Sequence, residues 1–125
     1  MNIAIIGSRE FKNSKVFLQQ IEKYRLEFEF TKIISGGARG ADSLGEWYAM
    51  KNKIPIEIIL PNWDKHGKAA GMIRNMEIIK NSDIIIAFYN GISPGTNHSI
   101  EQSKKLLKKI IIYNYITNTE ERYNF

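Results

Sequence analysis

Two kinds of segment alternate along the chain. Five short runs are nearly continuous in isoleucine and other apolar or β-branched residues: Ile3 to Ile6, Lys32 to Ser35, Ile56 to Leu60, Asp83 to Phe88 and Ile110 to Tyr113. Unbroken apolar runs of this length predict strands covered on both faces, since a strand with one wet face would alternate. Between them lie four segments of helical period. In the first, Val16, Leu18, Ile21, Tyr24 and Phe28 form an apolar stripe, with Ser14 as the expected N-cap. The second runs from about Ala41 to Asn52, with Leu44, Trp47 and Tyr48 inward, and stops before Pro55. The third runs from about Ala69 to Lys80, with Met72, Ile73, Met76 and Ile79 inward. The fourth runs from about Asn97 to Lys109, with Ile100, Leu106 and Leu107 apolar and lysines toward its end.

Strand and helix in strict alternation predict an α/β fold, a Rossmann-like doubly wound parallel sheet of about five strands with helices on both faces. Right-handed crossovers make the order 3-2-1-4-5 the expected one. The stretch after Tyr113, rich in Asn, Thr and Glu, reads either as a short final strand or as irregular chain. At 125 residues the whole is expected to form one domain, residues 1–125, with no room for a separate substrate domain.

Composition narrows the chemistry. There is no cysteine, which excludes disulfides, thiolate nucleophiles and cysteine metal sites. The two histidines, His66 and His98, lie far apart in the chain, so no metal site is expected. Eighteen Lys and Arg against thirteen Asp and Glu leave a net charge of +5, which suits phosphates or nucleic acid without selecting either. The apolar runs, such as Ile84 to Phe88, are too short to span a bilayer. The start Met1-Asn2-Ile3-Ala4 has no basic region of the kind that opens a signal peptide. A cytoplasmic protein with no membrane partner is the expectation.

In an open parallel sheet, ligands bind beyond the carboxyl ends of the strands where the strand order reverses. Eight of the nine glycines fall in the loops after the first four runs, with only Gly45 outside. These loops are Gly7-Ser8-Arg9, the stretch Ser35 to Asp42, the stretch Pro61 to Gly71, and Asn90 to Thr96. Glycine permits close backbone approach, and a helix N-terminus offers free N–H groups and a positive dipole end. The loops after strands one, two and four should meet in one crevice, and Arg9, Arg39, Lys68 and Arg74 accompany that edge. No G-x-G-x-x-G follows the first strand and no Gly-Lys-Ser/Thr occurs, so neither a dinucleotide fingerprint nor a Walker A loop is present. A nucleotide phosphate or phosphoribosyl group is the generic ligand, and no cofactor is implied.

Taken together, the loops resemble the SLOG superfamily of Rossmann-like proteins, which groups DNA-processing protein A with the cytokinin-activating Lonely-guy phosphoribohydrolases. Its small single-domain YspA-like branch carries G-S-R, S-G-G-A-x-G-A-D, G-x-x-R-N and G-x-S-x-G-T in that order. All four stand here, as Gly7-Ser8-Arg9, Ser35 to Asp42, Gly71 to Asn75 and Gly91 to Thr96. The resemblance runs from Ile3 to Tyr113 and implies a nucleotide-derived ligand. The Lonely-guy enzymes cleave an N-glycosidic bond with an arginine from R-K-x-x-M and a glutamate from P-G-G-x-G-T-x-x-E. Arg74 matches the arginine, but Ser99 stands where the glutamate belongs. Glu101, two residues on, is about 200° around a helix and should face elsewhere. A hydrolase would therefore need Glu46, Asp42 or Glu77 as its carboxylate. The resemblance to DNA-processing protein A implies single-stranded DNA binding, for which Trp63, Trp47 and Tyr89 can supply rings.

Three functions follow: a binding site for a nucleotide or nucleotide-derived small molecule, an N-glycosidase of nucleoside monophosphates, or a single-stranded nucleic-acid binder. The expected ligand set is Gly7, Ser8, Arg9, Ser35, Gly36, Gly37, Arg39, Gly40, Asp42, Trp63, Arg74, Asn75, Gly91, Ser93, Gly95 and Thr96. The catalytic candidates are Arg74, Glu46 and Glu77. Within the set, Asp42 reads either as a helix cap or as a ribose contact, and Trp63 either as a base-stacking ring or as a lid on the sheet edge. The lysines Lys104, Lys105, Lys108 and Lys109 read as a solvated helix face. A homo-oligomer is expected, because apolar helix faces on so small a sheet often pair.

Overall fold

A computed structural model describes residues 1–125. Six strands form one sheet in the order β3-β2-β1-β4-β5-β6, with β1 at Asn2–Gly7, β2 at Lys32–Ser35, β3 at Ile56–Ile58, β4 at Ile84–Tyr89, β5 at Lys109–Asn114 and β6 at Thr119–Tyr123. The first five are parallel, and β6 is antiparallel to β5. The expected 3-2-1-4-5 order is thus present, with a sixth strand added at the edge. The helices are α1 (Ser14–Glu27), α2 (Ala41–Lys51), the short α3 (Trp63–His66), α4 (Ala70–Lys80) and α5 (Pro94–Lys105), with a 3-10 turn at Gly67–Ala69. No helix is long and apolar enough to cross a membrane.

Side chains alternate across the sheet and divide the core in two. Ile3, Ile5, Ile33, Ile84, Ile86 and Phe88 face α1 and α2, where Phe17, Ile21, Tyr24 and Tyr48 fill the space. Ala4, Ile6, Ile34, Ile85 and Ala87 face the other way, onto Ile78 and Ile79 of α4 and Ile100 of α5. Each fully buried isoleucine contributes about 2 kcal/mol. The continuous isoleucine runs follow directly from this double coverage.

Several local expectations are corrected. Asn13, not Ser14, caps α1, its Oδ1 accepting from Val16 N at 3.1 Å. Trp47 points away from the sheet and is exposed, while Tyr48 and Ala49 take the inner face of α2. Met72 and Ile73 are exposed, and α4 packs through Ile78 and Ile79, one step round the helix. The last helix begins and ends earlier than its period suggests, because Pro94 sits at its first turn, where a missing N–H costs nothing. Of the four lysines assigned to it, only Lys104 and Lys105 belong to α5. Lys109 opens β5, and Lys108 donates to the carbonyls of Lys80 and Ser82 at 3.3 and 2.9 Å, closing the end of α4. The stretch Pro61 to Gly71 is not all loop, since Asn62 caps α3 by accepting from Lys65 N at 3.0 Å.

The chain after Tyr113 is regular. Asn114 Oδ1 accepts from the N–H groups of Ile116 and Thr117, and Asn118 takes a left-handed φ of 55°. This turn sends β6 back along β5, pairing Ile110 with Tyr123 and Asn114 with Thr119. Arg122 then binds Glu27 of α1 through both terminal nitrogens and Glu120 through Nε, fastening the hairpin to the body.

Candidate functional site

The strand order reverses between β2 and β4 on either side of β1, and a cleft of about 580 Å³ opens there at the carboxyl ends of the strands. Its walls come from the loops after β1, β2 and β4, as expected, and also from the start of α4. These walls are held by backbone contacts. Ser8 N donates to Phe88 O at 3.0 Å, and Ser8 O accepts from Phe11 N and Ala41 N at 3.2 and 3.3 Å. Two glycines make that packing possible. A Cβ on Gly7 would lie 2.3 Å from Phe88 O, and one on Gly40, at φ +77°, would lie 2.2 Å from Ser8 O. The first loop is thereby wedged between β4 and the first N–H of α2.

On the far wall, Asn90 shapes the turn into α5. Its Oδ1 accepts from Ile92 N at 3.0 Å, from Ser93 N at 2.9 Å and from the Ser93 hydroxyl at 2.9 Å. The Ser93 and Ser8 hydroxyls are 3.0 Å apart, which ties the two loops together. Ser93 occupies the cap position of α5 yet makes no side-chain bond to the helix. The first N–H groups of a twelve-residue helix therefore stay uncapped beside the cleft, with Gly95, Thr96 and the buried Ser99 in its lining.

Arg74 and Asp42 form the floor. Arg74 is half-buried; its Nη1 donates to Gly36 O at 2.6 Å and its Nε to Asn75 Oδ1 at 2.8 Å, leaving Nη2 without a protein partner. Burial lowers its pKa, Asp42 opposes that, and the nearby Arg9 lowers it further. Such a guanidinium gains by taking on an anion. Asp42, only 6% exposed, does not cap α2. Its Oδ2 instead accepts from Gly36 N at 3.1 Å and Ala38 N at 3.3 Å, folding the glycine loop around the carboxylate. Burial raises its pKa from 3.8 to about 6, against the pull of those two N–H groups and Arg74.

The cleft brings together Gly7, Ser8, Arg9, Asp42, Arg74, Asn75, Ser93, Gly95 and Thr96 from the expected ligand set. Ser35, Gly36, Gly37, Gly40 and Gly91 are outside that lining; Ser35 and Gly36 are buried beneath it, while Gly37 and Gly91 are exposed. Gly36 offers its carbonyl to Arg74, and the Ser35 hydroxyl accepts from Gly37 N and donates to Glu46. Arg39 is exposed and outside the cleft. Trp63 is exposed at its rim, where a Cβ on the lining Gly71 would lie 3.8 Å from the Trp63 ring. Neither Glu46 nor Glu77 lines the cleft; Glu46 accepts from Ser35 Oγ at 2.6 Å and Glu77 lies exposed on α4. Glu101 does face elsewhere, onto a separate small hollow beside β6. Sequence reasoning missed Glu10 and Asn90 in the lining. Asn90 carried a signal, since Asn-Gly after a strand favours a side chain that accepts from the next backbone N–H groups.

Residues 1–66 match the model of the family described as YAcAr, the YspA, cpYpsA-related SLOG family. Over 111 residues the chain is also 32% identical to the Gene 61 protein of Mycobacterium phage D29, covering 82% of this chain and 88% of that one. The chain belongs to the YspA-related SLOG family. Its fold is similar to that of DNA processing protein A (DprA) from Streptococcus pneumoniae, with a TM-score of 0.72 over 89% of this chain at 17% identity. The chain spans about half of that protein, 49% of its length. Within the SLOG frame, this chain's cleft holds two carboxylates, Glu10 and Asp42.

Proposed function

We infer that the protein binds a nucleotide or a nucleotide-derived small molecule, with its phosphate in the cleft. One observation carries this reading: the open Nη2 of Arg74 and the uncapped start of α5 border the same cleft at the switch point of the sheet. Ser8, Arg9 and Thr96 supplement them with a buried hydroxyl, a second cation and a further hydroxyl. The cleft's volume, about 580 Å³, is in the range of small-molecule sites. Exposed Trp63 at the rim is available to a base.

Calorimetric titration with nucleoside mono- and diphosphates and ADP-ribose tests it. Saturable binding that is lost in Arg74→Ala is the expected result, and no heat with any phosphate compound would reject it. Release of free base from a monophosphate in the same samples would turn the binder into an N-glycosidase, with Asp42 or Glu10 as the available carboxylate.

A second reading, single-stranded nucleic-acid binding, is favoured by Trp63 at the rim and by the likeness in fold to a protein named for DNA processing. It predicts oligonucleotide affinity that falls steeply with salt and depends on Trp63. Self-association belongs to the proposal as well. Ile58 and Leu60 by the β3 edge and Met72 and Ile73 on α4 leave apolar side chains uncovered, and sedimentation would report a dimer or larger species.

A further inference from the structure

The carboxylate of Asp42 is divided in its use. Oδ2 holds the loop through Gly36 N and Ala38 N, while Oδ1 has no hydrogen-bond partner, although the residue is more than nine-tenths buried and lines the cleft. That oxygen is open to the cleft, since the one buried side-chain polar atom without a partner is His98 Nδ1, so a ligand that displaces its water must supply a donor in turn. Arg74 does not supply it, since no ion pair joins the two side chains. Glu46, the other carboxylate near it, is engaged with Ser35.

An ionised carboxylate can only accept, so whatever meets Oδ1 must donate. An anion cannot occupy that spot, but it can sit close by. A Cβ on Gly36 would lie 2.9 Å from both Arg74 Nη1 and Asp42 Oδ2, so the cation and the carboxylate flank one residue. The donor on the ligand must therefore lie near its phosphate. In a nucleotide the groups that satisfy this are the sugar hydroxyls, because the base lies beyond the sugar. A single oxygen with two lone pairs can take two such donors.

Resting on the anion-cleft reading above, we propose that the ligand is a ribosyl phosphate with a free vicinal diol, and that Asp42 Oδ1 accepts from that diol. Asp42 is then a specificity-determining residue that selects ribose over deoxyribose compounds. This choice also sets the small-molecule reading apart from DNA, whose sugar has neither a 2′-hydroxyl nor a free internal 3′-hydroxyl.

The test compares matched pairs by calorimetry: ribose 5-phosphate with 2-deoxyribose 5-phosphate, and AMP and GMP with their 2′-deoxy and 3′-deoxy forms. Wild-type protein should bind the ribose member at least about tenfold tighter, a typical effect of a lost charged hydrogen bond. Asp42→Asn should bring the pairs to within about twofold of each other, a difference too small to reflect one such bond. The asparagine oxygen can still receive Gly36 N and Ala38 N, which turns its amide donor toward the cleft in place of an acceptor. Equal affinities within each pair in the wild type overturn the proposal while leaving the anion cleft standing, provided Arg74→Ala still loses binding. A ribose preference that persists in Asp42→Asn also overturns it. Binding to none of the compounds overturns both this proposal and the reading beneath it. The wild-type comparison needs no variant to fold.

Discussion

Arg74 and Arg122 both lie near carboxylates, but their guanidinium groups end up in opposite conditions. Arg122 has every nitrogen engaged: Nε on Glu120, and Nη1 and Nη2 on Glu27. Its partners hold its pKa above the ordinary value, the bond to Glu27 foremost. The Tyr24 hydroxyl joins the group by donating to Glu120 at 2.6 Å, and burial, with that bond, pushes its pKa well up. For Glu120, burial works to raise the pKa, but the bonds from Tyr24 and Arg122 outweigh it and the net shift is downward. Arg74 spends two nitrogens on positioning, leaves Nη2 open, and faces a carboxylate that is itself half used. Closed sets of polar partners fasten one element to another. An aspartate fixed by backbone N–H groups and an arginine fixed by Gly36 O and the Asn75 side chain, each with one atom unspent on the same cleft, are arranged for a third party.

The comparison can be broken most severely at the backbone that fixes the cleft. Gly7→Ala should lower the unfolding free energy by about 4 kcal/mol, since its methyl would overlap Phe88 O at 2.3 Å and Ala41 Cβ at 2.8 Å. Urea denaturation measures it, and a loss below about 1 kcal/mol would show that the loop relaxes freely.

The next effect is the pH dependence of Asp42. Its folded pKa, about 6, is above its ordinary 3.8, so the stability it contributes is fully present below the lower value and is lost as pH rises through the upper one. Between about pH 3.5 and pH 7, unfolding free energy should fall by about 3 kcal/mol in the wild type relative to Asp42→Asn. Parallel profiles for the two proteins would mean that the carboxylate is solvated.

Arg74→Ala and Arg122→Ala then sharpen the contrast directly. Arg74→Ala should weaken AMP binding by about 100-fold, the loss of one or two charged hydrogen bonds, while unfolding free energy falls by only about 1 kcal/mol. Arg122→Ala should do the reverse, leaving AMP binding unchanged and lowering stability by about 1 kcal/mol, because its ion pairs are partly open to solvent. Equal effects of the two variants on binding would erase the distinction.

Most of the architecture was legible because an isoleucine run covered on both faces has little else to be. The pieces left open or misplaced are those that an apolar pattern alone does not decide. In β6, Thr119-Glu120-Glu121-Arg122-Tyr123 reads equally as a short strand or as irregular chain; its strand depends on the Asn114 and Asn118 turn and on Arg122 reaching Glu27. Trp47, Met72 and Ile73 read as inward because hydrophobicity alone does not say which side of a helix meets the sheet; Tyr48, Ile78 and Ile79 do. At the site, glycines beside arginines marked the cleft, since close backbone approach leaves a compositional trace. The division of labour in Asp42 left none. Helix capping, loop folding and ligand contact all call for the same residue type in the same first turn, and only the bonds to Gly36 N and Ala38 N separate them.

The sixth strand also bears on how the protein coexists with its neighbours at high concentration. Ile110, Ile111 and Ile112 of β5 are the kind of segment that recruits a matching strand from another chain, and without β6 their backbone would lie on an open edge. The antiparallel β6 occupies that edge with two glutamates and an arginine, ending the sheet in a strand poorly suited to extension. Trimming the last dozen residues should therefore show first as fibril growth or turbidity on standing, in a chain whose cleft is otherwise intact.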